Sequence, residues 1–351
     1  MPFFYRKATP EQPDRPGKKP ARVLWGLFAI LFAAFLFSFS IGRYGVPVSE
    51  VVRIFLSRIF PMEQTWTAEM QTVVLNIRLP RILIACLVGC SLSAAGASYQ
   101  GVFQNPMASP DILGASSGAA FGAALAILWG GSSRMITLAA FASSLITVMA
   151  VYLIAQRAPG LKVVNLILGG IMVGSLFTAG TSYIKLVADP TNQLPAITYW
   201  MMGSLSGSKL KDVAFVAVPV ALGLVPLFCV RWQVNVLTLG DEEARTLGVN
   251  TNLLRLVVIL CATLVTAASV SVSGMIGWVG LVIPHLCRKL VGSSNYRYLL
   301  PASMIAGAAF LLLVDDISRN LLAVEIPIGI LTAFIGAPFF IYLISKREKT
   351  L

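Results

Sequence analysis

The sequence predicts an all-α fold, a polytopic bundle of about ten membrane-crossing helices, and three observations carry that prediction. Of the 351 residues, 57% are hydrophobic and 12% charged, with a mean hydropathy of +0.80. A water-soluble fold would lack the polar surface to cover itself. Uncharged runs of about 20 residues, the length that crosses roughly 30 Å of hydrocarbon as a helix, recur with the charges gathered in the gaps. These runs also lack the apolar–polar alternation of barrel strands.

The runs lie at residues 23–41, 82–103, 112–129, 135–155, 163–184, 213–230, 256–273, 298–314 and 326–345. Segment 256–287 is uncharged throughout and too long for one ordinary span at 1.5 Å per residue. Arg255 precedes it, and Arg288 with Lys289 follow. If both ends stay in the cytoplasm, the chain crosses out and back, with Gly274, Gly277 and Gly280 at the reversal and the return leg short and interrupted near Pro284. That makes the eighth crossing the least regular.

Both tails are basic, and basic loops stay cytoplasmic, so both termini are expected on that side and the number of crossings is even. In this orientation 17 basic residues face the cytoplasm and 10 face outside. Residues 1–22, rich in proline and charge, read as a disordered tail; 23–345 reads as one transmembrane domain and 346–351 as a second short tail. Segment 23–41 is longer than a usual signal-peptide core and no clear cleavage site follows, so it reads as an uncleaved span. The net charge of +12 follows from these basic loops, with no basic and aromatic patch of the kind that binds nucleic acid.

Some chemistry is absent from the sequence. The five cysteines show no CxxC or Cys/His spacing, so neither a disulfide nor a metal site is implied. His285, beside Pro284, reads as a structural hydrogen bonder rather than a proton relay. The acidic residues fall in loops or near helix ends, which disfavours an ion-coupled secondary carrier, the alternative of a different class. No GxxxxGK[ST] phosphate loop is present, so energy for active transport must come from another chain.

Motifs narrow the class. Arg78-Leu-Pro-Arg81 opens the second span, which continues Gly89-x-x-Leu92-x-x-Ala95-Gly96-x-x-x-Gln100 and runs into Asn105-Pro-Met-Ala-x-Pro110-x-x-Leu113-Gly114. Later come Leu239-Gly240-x-x-x-Ala244-x-x-Leu247-Gly248 and Gly274-x-Ile276-Gly277-x-Val279-Gly280-Leu281-x-x-Pro284-His285-x-x-Arg288. The chain closes with Asp315-x-x-x-Arg319, Glu325-x-Pro327-x-Gly329-Ile330 and Gly336-Ala337-Pro338-Phe339-Phe340. In order and spacing, over residues 70 to 345, these resemble the FecCD family of ABC-transporter permeases.

That resemblance implies the type II importer fold, a homodimer with the path along its two-fold axis, two cytoplasmic ATPase subunits carrying the ATP and Mg, and an external binding protein. The implied cargo is an iron(III)–siderophore, with cobalamin, haem and molybdate as alternatives, across a bacterial or archaeal cytoplasmic membrane. By resemblance, Arg78, Arg81 and Arg319 dock the binding protein, a task suited to the guanidinium fork. Asp315, one helical turn from Arg319, is a competing partner. Residues 239–250 become the ATPase-coupling segment, through Leu239, Gly240, Asp241, Glu242, Glu243, Ala244, Leu247 and Gly248. Its three acids suit a helix N-terminus and Gly248 a helix end. Asn105 and Met107 are implied in a cytoplasmic gate, and Gln100, Gly170, Gly174 and Thr178 are candidates for lining the path. Most small residues of the fifth span are expected to serve packing, and 189–212 to form an external interfacial helix.

Overall fold

The computed structural model describes residues 18–347. Each predicted span corresponds to one helix. The first is α1 (Lys18–Ser40), followed in the first connection by α2 (Val48–Leu56) and α3 (Ala68–Thr72). A π-helical stretch, Val73–Arg78, carries α3 without a break into α4 (Leu79–Val102), and a 3-10 turn, Pro110–Leu113, leads to α5 (Ala115–Leu128). Then come α6 (Ser133–Arg157), α7 (Lys162–Val187), α8 (Gln193–Met202) and α9 (Leu210–Cys229). After these follow α10 (Arg231–Leu237), α11 (Asp241–Thr246), α12 (Thr251–Ser273), α13 (Val279–Val291), α14 (Tyr296–Asn320) and α15 (Ile328–Arg347). Strands are absent among the described residues.

Several boundaries differ from expectation. Residues 18–22 form the opening of α1, because an apolar helix continues outward until polar groups can be solvated, and Lys18, Lys19 and Arg22 ride on it. Lys346 and Arg347 likewise end α15. Residues 1–17 and 348–351, with the disorder expected of the first tail, lie outside the described residues. The second span reaches outward to Ala68, where the Thr67 hydroxyl accepts from the Met70 amide at 3.3 Å.

Among the described residues, seven helices are long and apolar enough to cross a membrane by themselves. Helices α5, with 14 residues, and α13, with 13, each rise only about 20 Å at 1.5 Å per residue. Non-helical chain makes up the difference in both. Ahead of α5, residues 103–114 fold back into the bundle until Ile112 and Leu113 lie against Gly170 of α7. Ahead of α13, the chain turns through Gly274, at φ 67°, and Trp278, at φ 71°, so the predicted reversal exists. Gly280 does not serve that turn. It lies in α13, where Pro110 and the Leu92 carbonyl leave no room for a side chain.

Helix α4 is the centre of the bundle, buried along almost its whole length between α9, α12, α13 and α14. Its small residues allow backbones to touch: Gly89 faces Gly307 of α14, and Gly96 faces the Gly280 carbonyl of α13. A Cβ on Gly96 would collide with that carbonyl, whereas one on Gly277 meets open space. Gly96→Val is therefore expected to cost on the order of 1–3 kcal/mol. Thermal unfolding in detergent should show a lowered midpoint for Gly96→Val and little change for Gly277→Ala.

Candidate functional site

One end of the bundle is built on a charge network. The α1 helix ends at Ser38 to Ser40, α4 begins beside Arg78 and Arg81, α14 ends with Asp315, Asp316 and Arg319, and Glu325 precedes α15. Arg81 donates from Nε to both Asp315 oxygens at 3.0 Å, from Nη2 to Asp315 at 2.9 Å, and from Nη1 to Glu325 at 2.9 Å. Arg319 bonds Asp316 and donates to the Ser38 hydroxyl at 2.6 Å and the Ser38 carbonyl at 2.9 Å. The Ser38 hydroxyl in turn donates to Asp316 at 2.7 Å. Arg78 donates to the Phe39 carbonyl and, at 2.5 Å, to the Tyr44 carbonyl. Arg78 and Arg319 thus satisfy carbonyls at the C-terminal end of α1, where a helix carries unbonded oxygens and partial negative charge.

The sequence reading takes these three arginines as open docking groups. The structure buries them, at 3%, 7% and 7% exposure, and occupies them with the chain's own acceptors. Asp315 and Asp316, at 0% and 6%, are likewise buried rather than solvated at a helix end. Three arginines and three acids balance in number; Arg81 and Arg319 meet carboxylates in hydrogen-bonding geometry, while the buried Arg78 guanidinium is held by backbone carbonyls. Sequence spacing pairs Arg319 with Asp315; in the fold its Nε is 4.0 Å from Asp315, and its direct partner is Asp316.

At the other end stands α11, packed on α10 and α12. Gly240, at φ 130°, starts it, and Gly248, at φ 82°, ends it, with amides 248 and 249 donating to the carbonyls of Arg245 and Ala244. Asp241 accepts from Arg255 of α12 at 2.7 and 2.5 Å, and Ala244 is buried beneath. The outer face carries Glu242 and Glu243 between two exposed leucines, Leu239 at 64% and Leu247 at 58%. An acidic face flanked by exposed leucines suits contact with another protein better than contact with water.

Hydrogen bonding by Arg255, against a partial burial penalty, holds the Asp241 carboxyl below the usual carboxylate range. A lowered folded value means stabilisation that is present above the unfolded value of about 3.9 and lost as pH falls through the folded one. The partly exposed pair contributes up to about 1 kcal/mol. Amide exchange in α11, corrected for intrinsic rates, should be level from pH 7 to 5 and accelerate below about 4. In Asp241→Asn that acceleration should vanish.

Against α10, on which α11 packs, lies the turn that follows α4. The Asn105 side chain accepts from the Met107 amide at 2.9 Å, Gln104 donates to the Leu237 carbonyl of α10 at 2.7 Å, and Met107 is 49% exposed. Of the four path candidates, Thr178 is exposed, with its hydroxyl donating to the Gly174 carbonyl at 2.8 Å. Gly170 and Gly174 are buried where the 103–114 segment packs on α7, and Gln100 is buried as well. Pro284 lacks the N–H that would bond the Gly280 carbonyl within α13. The Gln100 amide points at that carbonyl from 3.5 Å and at those of Ala108 and Leu281 from 3.3 and 3.4 Å, while Arg288 donates to the Gln100 oxygen at 2.6 Å. Gln100 therefore ties α4, the folded-back segment and α13 together, and α13 stays continuous through Pro284. Groups of three or more residues able to hold a metal ion are absent among the described residues.

The fold is a polytopic membrane bundle with a buried charge network at one end and a projecting acidic helix at the other. The chain belongs to the FecCD transport family, whose model matches residues 30–346. It is 39% identical over 338 residues to the molybdate import system permease MolB of Haemophilus influenzae, covering 96% of this chain and 98% of that one. A probable iron chelatin transport permease of Helicobacter pylori is 40% identical, over 80% of this chain and 85% of its own. A solved structure described as an inward-facing conformation of a transporter assigned to the metal-chelate type of ABC transporter superposes with a TM-score of 0.83 at 38% identity, covering 93% of this chain and 99% of its own. The chain is an ABC-transporter permease, a transport subunit rather than an enzyme, and ATP hydrolysis in this class resides on a separate subunit.

Proposed function

We propose that the chain, as a homodimer with the path on its two-fold axis, imports a metal chelate of the iron(III)–siderophore class across a bacterial or archaeal cytoplasmic membrane. Two ATPase subunits bearing ATP and Mg dock on α11, and an external binding protein delivers the cargo. Residues 23–345 act as one transmembrane domain with both termini cytoplasmic, which turns α11 inward and the arginine network outward. The observation that carries this reading is α11 itself: a short helix fixed from behind by Asp241–Arg255, with Leu239, Glu242, Glu243 and Leu247 free to meet a partner. Asn105 and Met107, in the turn after α4, serve as gate residues, and Thr178 is the path-lining candidate that stands open. A part for Arg78, Arg81 and Arg319 in docking requires a partner carboxylate to displace one of their own, Glu325 being the most exposed at 29%.

Iron-chelate cargo is supported by the Helicobacter relative, and oxyanion cargo, the second reading, by the Haemophilus permease. An ion-coupled carrier has one structural candidate in Asp111, exposed and bonded to Ser116 rather than to a cation, but family membership assigns the energy to ATP. Orientation is tested by single-cysteine labelling. Glu242→Cys should react with an impermeant maleimide only in inverted vesicles and Lys211→Cys only in intact cells; the reverse pattern overturns the assigned topology.

A further inference from the structure

The arginine network is matched in number by the chain's own acids, and further positive charge at that end stands beside it, open to solvent. Two residues before Arg78, Asn76 forms one wall of a hollow of about 790 Å³ between the starts of α6 and α9. Arg134, Lys209 and Lys211 line it, with Ser132 and Ser133. All three cations are exposed, and none has a carboxylate within ion-pair distance among the described residues. The single acid in the lining, Asp212, accepts the Lys209 backbone N–H at 2.8 Å, so its charge is turned to the α9 terminus and the hollow keeps a positive excess.

We infer that this hollow is the first seat for acidic side chains of the delivery protein, and that Arg134, Lys209 and Lys211 are its docking cations. The inference rests on the importer reading above. Convergence on a recess favours protein carboxylates over lipid headgroups. Cations that snorkel to lipid spread around a convex rim, whereas these three approach one concavity deep enough for a side chain. Exposed, unpaired charges of one sign raise association rates, and their effect fades with salt.

The test uses the whole transporter with its ATPase in nanodiscs, titrated with the soluble binding protein of the same system at low and high salt. Wild type should bind, with the association rate falling as salt rises. The triple variant Arg134→Glu, Lys209→Glu, Lys211→Glu should associate about 10-fold more slowly or worse and lose the salt dependence, whereas Arg157→Glu with Lys162→Glu, at the opposite end, should bind as wild type. Each variant is accepted only if its ATPase still assembles. An unchanged association rate in the triple variant overturns the inference while leaving the importer reading intact, as does a change confined to retained anionic lipid. Wild type that binds no delivery protein at all overturns the importer reading, and this inference with it.

Discussion

Arg81→Ala is expected to destabilise the protein by about 3–5 kcal/mol, because it leaves Asp315 buried with no direct cationic partner. Asp315 accepts three hydrogen bonds from Arg81, and its remaining cation, Arg319, stands 4.0 Å away. The Arg81 side chain also joins α4 to the segment before α15 through Glu325, so its loss loosens two connections at once. Removing both charges is a different matter. The double variant Arg81→Met, Asp315→Leu removes the charge that cannot be solvated and keeps an apolar filling, and it should recover most of the lost stability. Glu325, being partly exposed, can find water. Fluorescence-detected size exclusion after a heating series measures both; wild-type behaviour of Arg81→Ala would show that the network does not hold this end together.

The second large effect is expected at α11. Glu242→Lys with Glu243→Lys reverses its outer face but leaves Asp241–Arg255 and the buried Ala244 in place. The helix should therefore keep its position, with thermal stability close to wild type, while ATPase assembly or substrate-stimulated hydrolysis falls by at least about 10-fold, as loss of well-placed interface charges implies. Normal stimulated hydrolysis in this variant, with the protein intact, would remove α11 from the coupling role.

The helices were legible because hydrocarbon enforces a simple rule. A segment that must satisfy its own backbone over about 30 Å has to be a long apolar helix, and such helices announce themselves in composition. Even the reversal after residue 273 followed from charge parity, and Gly274 makes it. The arginine network was not legible for the opposite reason. Arg81 meets Asp315 across 234 positions, and Arg319 meets Ser38 across 281. A count of basic residues by loop treats each arginine as solvated. One signal was present: two adjacent acids, Asp315 and Asp316, directly after the long apolar stretch of α14 require cations nearby. The structural bonds of Gln100 were hidden in a similar way, since a polar residue in a membrane helix suggests a path, and only the packing of Pro284 beside it reveals a carbonyl in need of a donor. The folded-back segment 103–114 was visible only as prolines that end a helix; where it then went depended on the small residues of α7.

Uptake into proteoliposomes is the most direct test of the central claim. The chain is reconstituted with its ATPase, ATP is enclosed on the α11 side, and the binding protein is supplied outside with labelled iron(III)–siderophore, haem, cobalamin or molybdate. The account predicts accumulation of one cargo that stops when ATP, the ATPase or the binding protein is omitted. Accumulation without the ATPase, driven by an ion gradient and abolished in Asp111→Asn, would contradict it.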